Sequence, residues 1–511
     1  MENDGTAMDD ASANVSAAAV STENMTASAA AAVPSSTNSL PLPTWRLVIA
    51  LALPVLGQQG LQFFVTLSDR YLAGHIQDVP DLPALQAAQT TAHYLSWFIT
   101  CYSVFVTVGS TALVARFIGA GDREQAIAVT HQSLLLAAIF AAVGTLSAIG
   151  GGIPMMVEAL QQTGAAGQYA VNYLTPLFLL LVFQMVEAAG IACLVGAGDT
   201  RTGLWVLGGV ALLNVPLAWG FCRGLFGLPE LGFVGIAVGT ALSHTIGCLA
   251  VLAVLARGRF GLKLSWRQFR PRFDLMRRLL RVSVPAGFDS MSVVVGQFWF
   301  LSIVNRLGKE AGAAHGIALV WEALGYLSGA AFGTAAMTLV GQNLGAGRPD
   351  QAARAGWRAF GLAACVMSFM GATFFTFAPE MFQLFCPMEE QREIIRTGIP
   401  VLRLVAFTMP CLAATIVFTN ALRGAGDTRV PVLFTWIGFF VVRIPLAYSL
   451  TQAVVTIGPF GEWRGLSFGL EWPGLELGLL GAWWAMFADL IIRGMFFFYR
   501  FAQGSWMKQR V

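Results

Sequence analysis

Charge is what this sequence lacks. Asp, Glu, Lys and Arg make up 12% of its 511 residues, where a soluble globular chain carries roughly 25%. So few charges cannot cover the several soluble domains that this length would otherwise imply. The net charge of +3 is small for the length and offers no basic face to nucleic acid. Cysteine and histidine are sparse too. The seven Cys stand singly in apolar runs with no CxxC pair; an odd, scattered set excludes a disulfide framework and reads as small buried hydrophobes. No cluster of several His and Cys occurs, so packing is expected of the three His in or beside apolar runs, His93, His244 and His315, rather than metal binding. No GxxxxGK[ST] loop is present to cradle a nucleotide phosphate. What the chain does have is apolar mass: 56% hydrophobic residues, with 37 Phe and 14 Trp, side chains that suit lipid and its interfaces. These proportions describe an integral membrane protein.

A helix needs about 20 apolar residues to cross about 30 Å of hydrocarbon. Twelve such stretches occur, at about 46–68, 92–115, 130–153, 171–195, 203–222, 231–256, 279–304, 314–340, 357–378, 398–421, 430–453 and 477–499. The fold expected is all-α and polytopic. Pro54, Pro176, Pro216, Pro285, Pro410 and Pro445 fall inside these spans, which a bundle tolerates because neighbouring helices satisfy the freed backbone groups. The abundant Gly and Ala permit close helix packing. Residues 1–42 differ: Ala, Ser, Thr and Asn dominate, with acids but no Lys or Arg. Lacking a basic start that leads into an apolar core, this stretch reads as a disordered tail and not a cleaved signal. With the N-terminus inside, Lys and Arg lie in threefold excess on one side of the spans, which predicts both termini in the cytoplasm.

The two halves carry the same punctuation in the same order. IGAGDREQA at 118–126 matches LGAGRPDQA at 344–352, and GAGDTR occurs at 196–201 and again at 424–429. NVPLAW at 214–219 matches RIPLAY at 443–448, and LGFVG at 231–235 matches LGLLG at 477–481. Each motif falls at the same span boundary in both halves. An even number of spans per half makes the repeats parallel, and two such pseudo-symmetric lobes can rock about a central site, as in transporters. The organisation expected is a six-helix N-lobe over 43–256, a cytoplasmic linker over 257–278 that meets anionic lipid headgroups, and a six-helix C-lobe over 279–511. An embedded transferase would need clustered acids or His/Asp constellations; no DxxxD or HxxxxD occurs, so no enzyme is expected.

LALPVLGQQGLQFFVTLSDRYLAGHI, both GAGDTR copies, VGQNLGAG at 340–347 and RIPLAY resemble the multidrug and toxic compound extrusion (MATE) family, over about residues 45–505. The resemblance implies twelve helices in two lobes and an outward-facing V-shaped cleft. It also implies efflux of amphipathic, cationic small molecules in exchange for H⁺ or Na⁺, with no cofactor, by a monomer in the bacterial inner membrane.

An ionisable group at a helix centre costs about 2.5–3.5 kcal/mol on insertion scales, so each acid within a span needs a reason. Asp69 stands fifteen residues beyond Pro54, about 22 Å along a helix. On the residues alone it is either a working carboxylate or an interfacial acid paired with Arg70. The resemblance implies that it carries the coupling cation on a helix with Pro54 as hinge, aided by Asn214 of the fifth span and Thr240 of the sixth. Such a set could hold Na⁺ through oxygen ligands or tune an acid by hydrogen bonds. Where the family commonly has Asp or Asn one turn after the Asn, this chain has Ala218, and one ligand fewer leans toward protons. Asp289, four residues after Pro285, fits a family acid for cation or substrate contact, or else a buried pair with Arg443. Glu322 and Tyr326 share a helix face beside Trp321, an arrangement suited to an organic cation. Asp289, Glu322, Tyr326 and Arg443 together form the expected substrate or second cation site. Glu187 matches no family position, and a helix–helix hydrogen bond is its default role. Asp489 and Arg493 read as an intrahelical ion pair, and His93, His244 and His315 as packing. The alternative function is a flippase for a lipid or lipid-linked oligosaccharide; it calls for a strongly cationic cavity, for which only Arg403 and Arg443 are at hand.

Overall fold

The computed structural model of the chain describes residues 42–509, except 75, 77–81, 161, 163, 266–268, 387–388, 453 and 458–467. The tail read over 1–42 falls outside them but for Leu42. Eleven described helices are long and apolar enough to cross a bilayer, and a bent pair meeting at 55° makes a twelfth crossing. In chain order they are span 1 (Trp45–Gly74), span 2 (Leu82–Gly119), span 3 (Arg123–Glu158), span 4 (Gly164–Leu179 with Leu181–Gly196), span 5 (Thr200–Arg223) and span 6 (Phe233–Ala256). Then follow span 7 (Phe273–Asn305), span 8 (Lys309–Gly345), span 9 (Pro349–Thr376), span 10 (Arg392–Ala425), span 11 (Arg429–Thr451) and span 12 (Gly478–Gln503). The all-α, twelve-crossing architecture is the one read from the apolar stretches. Its departure from helix is a small antiparallel hairpin between spans 11 and 12, β1 (Val454–Ile457) with β2 (Phe468–Pro473).

Proline sets several of the irregularities. Span 4 breaks at Leu180, one turn after Pro176, whose ring removes a backbone donor and crowds the preceding turn. Span 11 widens into a π-helical turn over Ile437–Arg443 just before Pro445, the wide turn absorbing the missing donor. By contrast, span 1 runs as one helix through Pro54. The outer surface is apolar, with Trp205, Leu212 and Phe369 largely exposed, as a lipid-facing wall requires.

The repeats meet about a pseudo-twofold axis at the ends that carry the GAG turns. A Cβ on Gly119 of span 2 would strike the Gln342 carbonyl of span 8, and a Cβ on Gly345 of span 8 would strike the Arg116 carbonyl of span 2. These are equivalent positions in the two repeats, so one contact is made twice. The first Gly of each GAGDTR behaves alike: Gly196 lies on the Thr111 carbonyl and Gly424 on that of Met337. Hydrogen bonds seal the junction. Gln342 Nε2 donates to the Gly196 carbonyl at 3.0 Å, Thr338 Oγ1 to that of Val195 at 3.2 Å, and Arg116 Nη1 to that of Ala425 at 3.3 Å.

Each GAGDTR turn is also tied to the end of its own half. Asp199 caps span 5 by accepting from Thr202 N–H at 3.0 Å and receives Arg259 Nε at 2.8 Å, just past span 6. Its counterpart Asp427 receives Arg500 of span 12 at 2.7 Å. The turns are structural staples, and the third residue of each motif, Gly198 and Gly426, has a positive φ that suits glycine. The apolar interior forms two clusters that trade helix segments. Val48, Leu51 and Val55 of span 1 pack with spans 8 to 12, while Leu275, Leu279 and Ala286 of span 7 pack with spans 2 to 6. Span 7 begins at Phe273, inside the stretch read as linker, so packing crosses the boundary drawn at 279. The rest of that linker is pinned along span 3: Gln132 Nε2 donates to the Arg270 carbonyl and Oε1 accepts from Arg272 N–H, both at 3.0 Å, while His131 Nε2 accepts from Ser265 N–H at 3.0 Å.

Candidate transport site

At the end of span 1 farthest from the GAG turns, Asp69 borders a cavity of about 120 Å³ between spans 1, 2, 4 and 6. Gln62, Gln89, Tyr173, Thr240 and His244 line it as well. The backbone fixes the acid's position, since Gln89 Nε2 of span 2 donates to the Asp69 carbonyl at 3.0 Å. Its side-chain Oδ1 is buried and finds no hydrogen-bond donor among the described residues. Arg70 beside it is exposed, and no ion pair joins the two among those residues, so the alternative reading of an interfacial Asp69–Arg70 pair is not realised. Asn214, buried on span 5, donates from Nδ2 to the Thr240 hydroxyl at 2.9 Å, and that hydroxyl donates onward to the Ile236 carbonyl at 3.1 Å. Asn214 Oδ1 is buried and unpartnered too. Of the three residues singled out in this half, Asp69 and Thr240 thus line one cavity and Asn214 is tied to it through the Thr240 hydroxyl, with two oxygens left without donors among the described residues. Ala218 is buried over Gly239, where the backbones of spans 5 and 6 lie close together.

The residues of the second half divide into two groups. Asp289 does not pair with Arg443. It is 3% exposed and binds Arg423 Nη2 of span 10 through Oδ2 at 2.7 Å, leaving Oδ1 and Arg423 Nε buried and unpartnered. Tyr326 of span 8 lies within electrostatic reach of this pair and is 54% exposed, so its ring faces open space. Arg443 belongs to the other group. Asp489 of span 12 takes Arg443 Nη2 on Oδ2 at 2.6 Å and Arg493 Nε on Oδ1 at 2.5 Å. Gln297 accepts from Arg443 Nη1 at 3.1 Å, and both guanidiniums lie over the Phe439 ring, at 4.2 and 4.8 Å from its centre. The expected Asp489–Arg493 pair is therefore present, but as one side of a triad. Glu322 of span 8 sits within electrostatic reach of Arg443 of span 11.

Three participants were not foreseen in the sequence. Arg423 was counted with the basic residues of the cytoplasmic side, yet its head turns inward to Asp289; the signal available was its position in the last turn of a helix, within reach of an acid on the neighbouring one. His244 lines the Asp69 cavity and its Nδ1–H donates to Glu187 Oε2 at 2.6 Å, which fills the open role of Glu187. Tyr173 enters through the bend in span 4. His315 has neither ring nitrogen hydrogen-bonded among the described residues and is stacked edgewise between Phe300 and Trp483. The side chain of His93 lies outside the described residues.

The MatE family model matches this chain twice, over residues 54–219 and 285–449, one match per repeat. A probable multidrug resistance protein NorM of Thermotoga maritima is 28% identical across 91% of this chain and 93% of its own. The multidrug resistance protein MdtK of Pectobacterium atrosepticum is 28% identical across 83% and 92%. Among solved structures, a MOP-superfamily transporter from Pyrococcus furiosus, described as having a binding pocket of reversed polarity, superposes with a TM-score of 0.79 at 21% identity over 91% of this chain and 97% of that one. An outward-facing multidrug resistance MATE transporter superposes equally well, again at 0.79 and 21%, with the same coverage. With the family model covering most of both halves, and with the fold shared, this chain belongs to the MATE family of transporters and is not an enzyme.

Proposed function

We propose that this protein is a secondary antiporter that exports amphipathic, cationic small molecules in exchange for H⁺ or Na⁺, with Asp69 as the carboxylate that carries the coupling ion. The observation that carries this reading is that Asp69 lines a polar cavity and keeps a buried Oδ1 with no donor among the described residues. An uncompensated carboxylate at membrane depth is expensive, and binding a cation relieves that cost. Protons are favoured over sodium. Within the set assigned to the coupling ion, the oxygens beside Asp69 are the Thr240 hydroxyl, already committed to two bonds, and Asn214 Oδ1, and Ala218 adds none. A dehydrated Na⁺ wants more oxygens than these.

The GAG ends are cytoplasmic in this reading, as are both termini, and the host membrane is the bacterial inner membrane. The sealed junction between spans 2 and 8 then closes the inner side, so the conformation is the outward-facing one. Substrate rests beside Glu322 and Tyr326, and cation binding at Asp69 resets the carrier, with Pro54 as the point where span 1 bends. Asp289 belongs to the same region through Tyr326. The chain works as a monomer surrounded by lipid. A lipid flippase would use several free cationic groups; of the two at hand, Arg443 is held by Asp489 and Arg403 lies exposed over the Phe375 ring, which supports the export reading.

The test is efflux of a lipophilic cation from proteoliposomes under separately imposed proton and sodium gradients. Asp69→Asn is expected to fold and to lose gradient-driven efflux. Full efflux by that variant sinks the assignment, and drive by sodium alone reverses the ion.

A further inference from the structure

Glu187 and His244 form a buried pair that the exchange cycle described so far leaves unused. Glu187, on the second helix of span 4, is 2% exposed, and His244, on span 6, is 9% exposed. The Nδ1–H to Oε2 bond joins them at 2.6 Å, and the second carboxylate oxygen, Oε1, is buried without a donor. That oxygen lies over Gly247, where a Cβ would collide with it. Span 6 therefore gives up a side chain to seat the carboxylate. With Nδ1 engaged by the carboxyl group, Nε2 is the nitrogen left to take or give a proton. The ring that bears it lines the same cavity as Asp69 and Thr240. A purely structural link between two spans needs only neutral amides or hydroxyls, whereas an acid–imidazole pair adds an exchangeable proton.

We propose that the Glu187–His244 pair is a second proton-binding site of this half, filled from the Asp69 cavity at His244 Nε2, with Glu187 as the positioning residue. The inference rests on the proton-driven reading of Asp69. The proton bonds to Nε2 from the cavity side and leaves by the same route. The imidazolium so formed is balanced by the Glu187 carboxylate. The other ionisable groups facing the pair are Asp69, Arg70 and Tyr173 around the cavity and Cys248 beside Glu187. A cation arriving beside Asp69 repels the proton on His244, so both carboxylates of this half contribute to the exchange.

The test counts protons directly and needs no substrate. Potentiometric titration of the detergent-solubilised full chain between about pH 5 and about pH 8 is expected to show about one proton fewer bound by His244→Gln than by the wild type. In proteoliposomes, His244→Gln and Glu187→Gln are both expected to change the pH profile of tetraphenylphosphonium efflux. An unchanged proton count in His244→Gln overturns the proposal. So does a changed count with the wild-type pH profile, since the proton is then bound but idle. Misfolding of both variants, read as loss of the monodisperse peak in size-exclusion chromatography, also overturns it, because the pair is then structural. Unimpaired gradient-driven efflux by Asp69→Asn is a separate result that removes the assignment of Asp69, so the two failures are told apart.

Discussion

Asp489 shows how single residues keep charge inside hydrocarbon here. It is fully buried and accepts from two guanidiniums at 2.5–2.8 Å, while Phe439 and Gln297 occupy the remaining faces of those cations. Each polar atom of the acid is thereby used, which is what makes a buried ion tolerable. Asp489→Asn leaves two buried Arg heads without a counter-charge and is expected to destabilise the protein by about 3–5 kcal/mol; thermal unfolding in detergent measures this, and an unchanged midpoint contradicts it. Asp69 is the opposite case, an acid with an oxygen left empty, so its neutral variant is expected to leave stability nearly intact while efflux fails. The i, i+4 spacing made the Asp489–Arg493 pair legible in the sequence. The pairing of Asp289 was not legible, because Arg423 and Arg443 compete for it from different helices and only their packing decides between them.

At the scale of elements, the two GAGDTR turns do the same work in different surroundings. In each, the first Gly admits a neighbouring backbone, the second Gly takes a positive φ, and the Asp holds an Arg from the end of its own half. A Cβ in the left-handed region costs roughly 1–2 kcal/mol. Gly198→Ala and Gly426→Ala are therefore each expected to lower stability by about that amount, by thermal unfolding, and by about the same amount as each other. A difference much larger than this between the two would mean that the turns are not equivalent. The repeat itself was readable from the motifs, because each one punctuates a helix end. Their contacts were not, since the same six letters face Thr111 in one half and Met337 in the other.

Across the whole molecule, the halves are joined at one end by glycine-to-carbonyl contacts that allow no side chain between spans 2 and 8. A junction made of backbone contacts and a small set of hydrogen bonds at the GAG end can part as a unit, as alternating access demands. Cysteines placed at Val195 and Thr338 in a chain freed of its native cysteines, joined by a short bifunctional thiol reagent, are expected to hold this end shut and stop efflux, with activity retained by either single cysteine. Transport by the cross-linked protein would show that this end never opens.

Composition and periodicity alone determined that the chain is a membrane protein of twelve helices built from two parallel repeats, because water-free surroundings permit few other ways to satisfy a backbone. They also picked out the handful of embedded acids, since scarcity of charge makes each one conspicuous. What tertiary structure decided was partnership. It put Asp69, Thr240 and His244 around one cavity with Asn214 bonded to Thr240, gave Asp289 to Arg423 and bound Arg443 to Asp489. The physical reason is that a helix presents a charge to every neighbour within reach of its face, and which neighbour is there depends on packing between residues on different helices, 26 to 134 positions apart in these pairs.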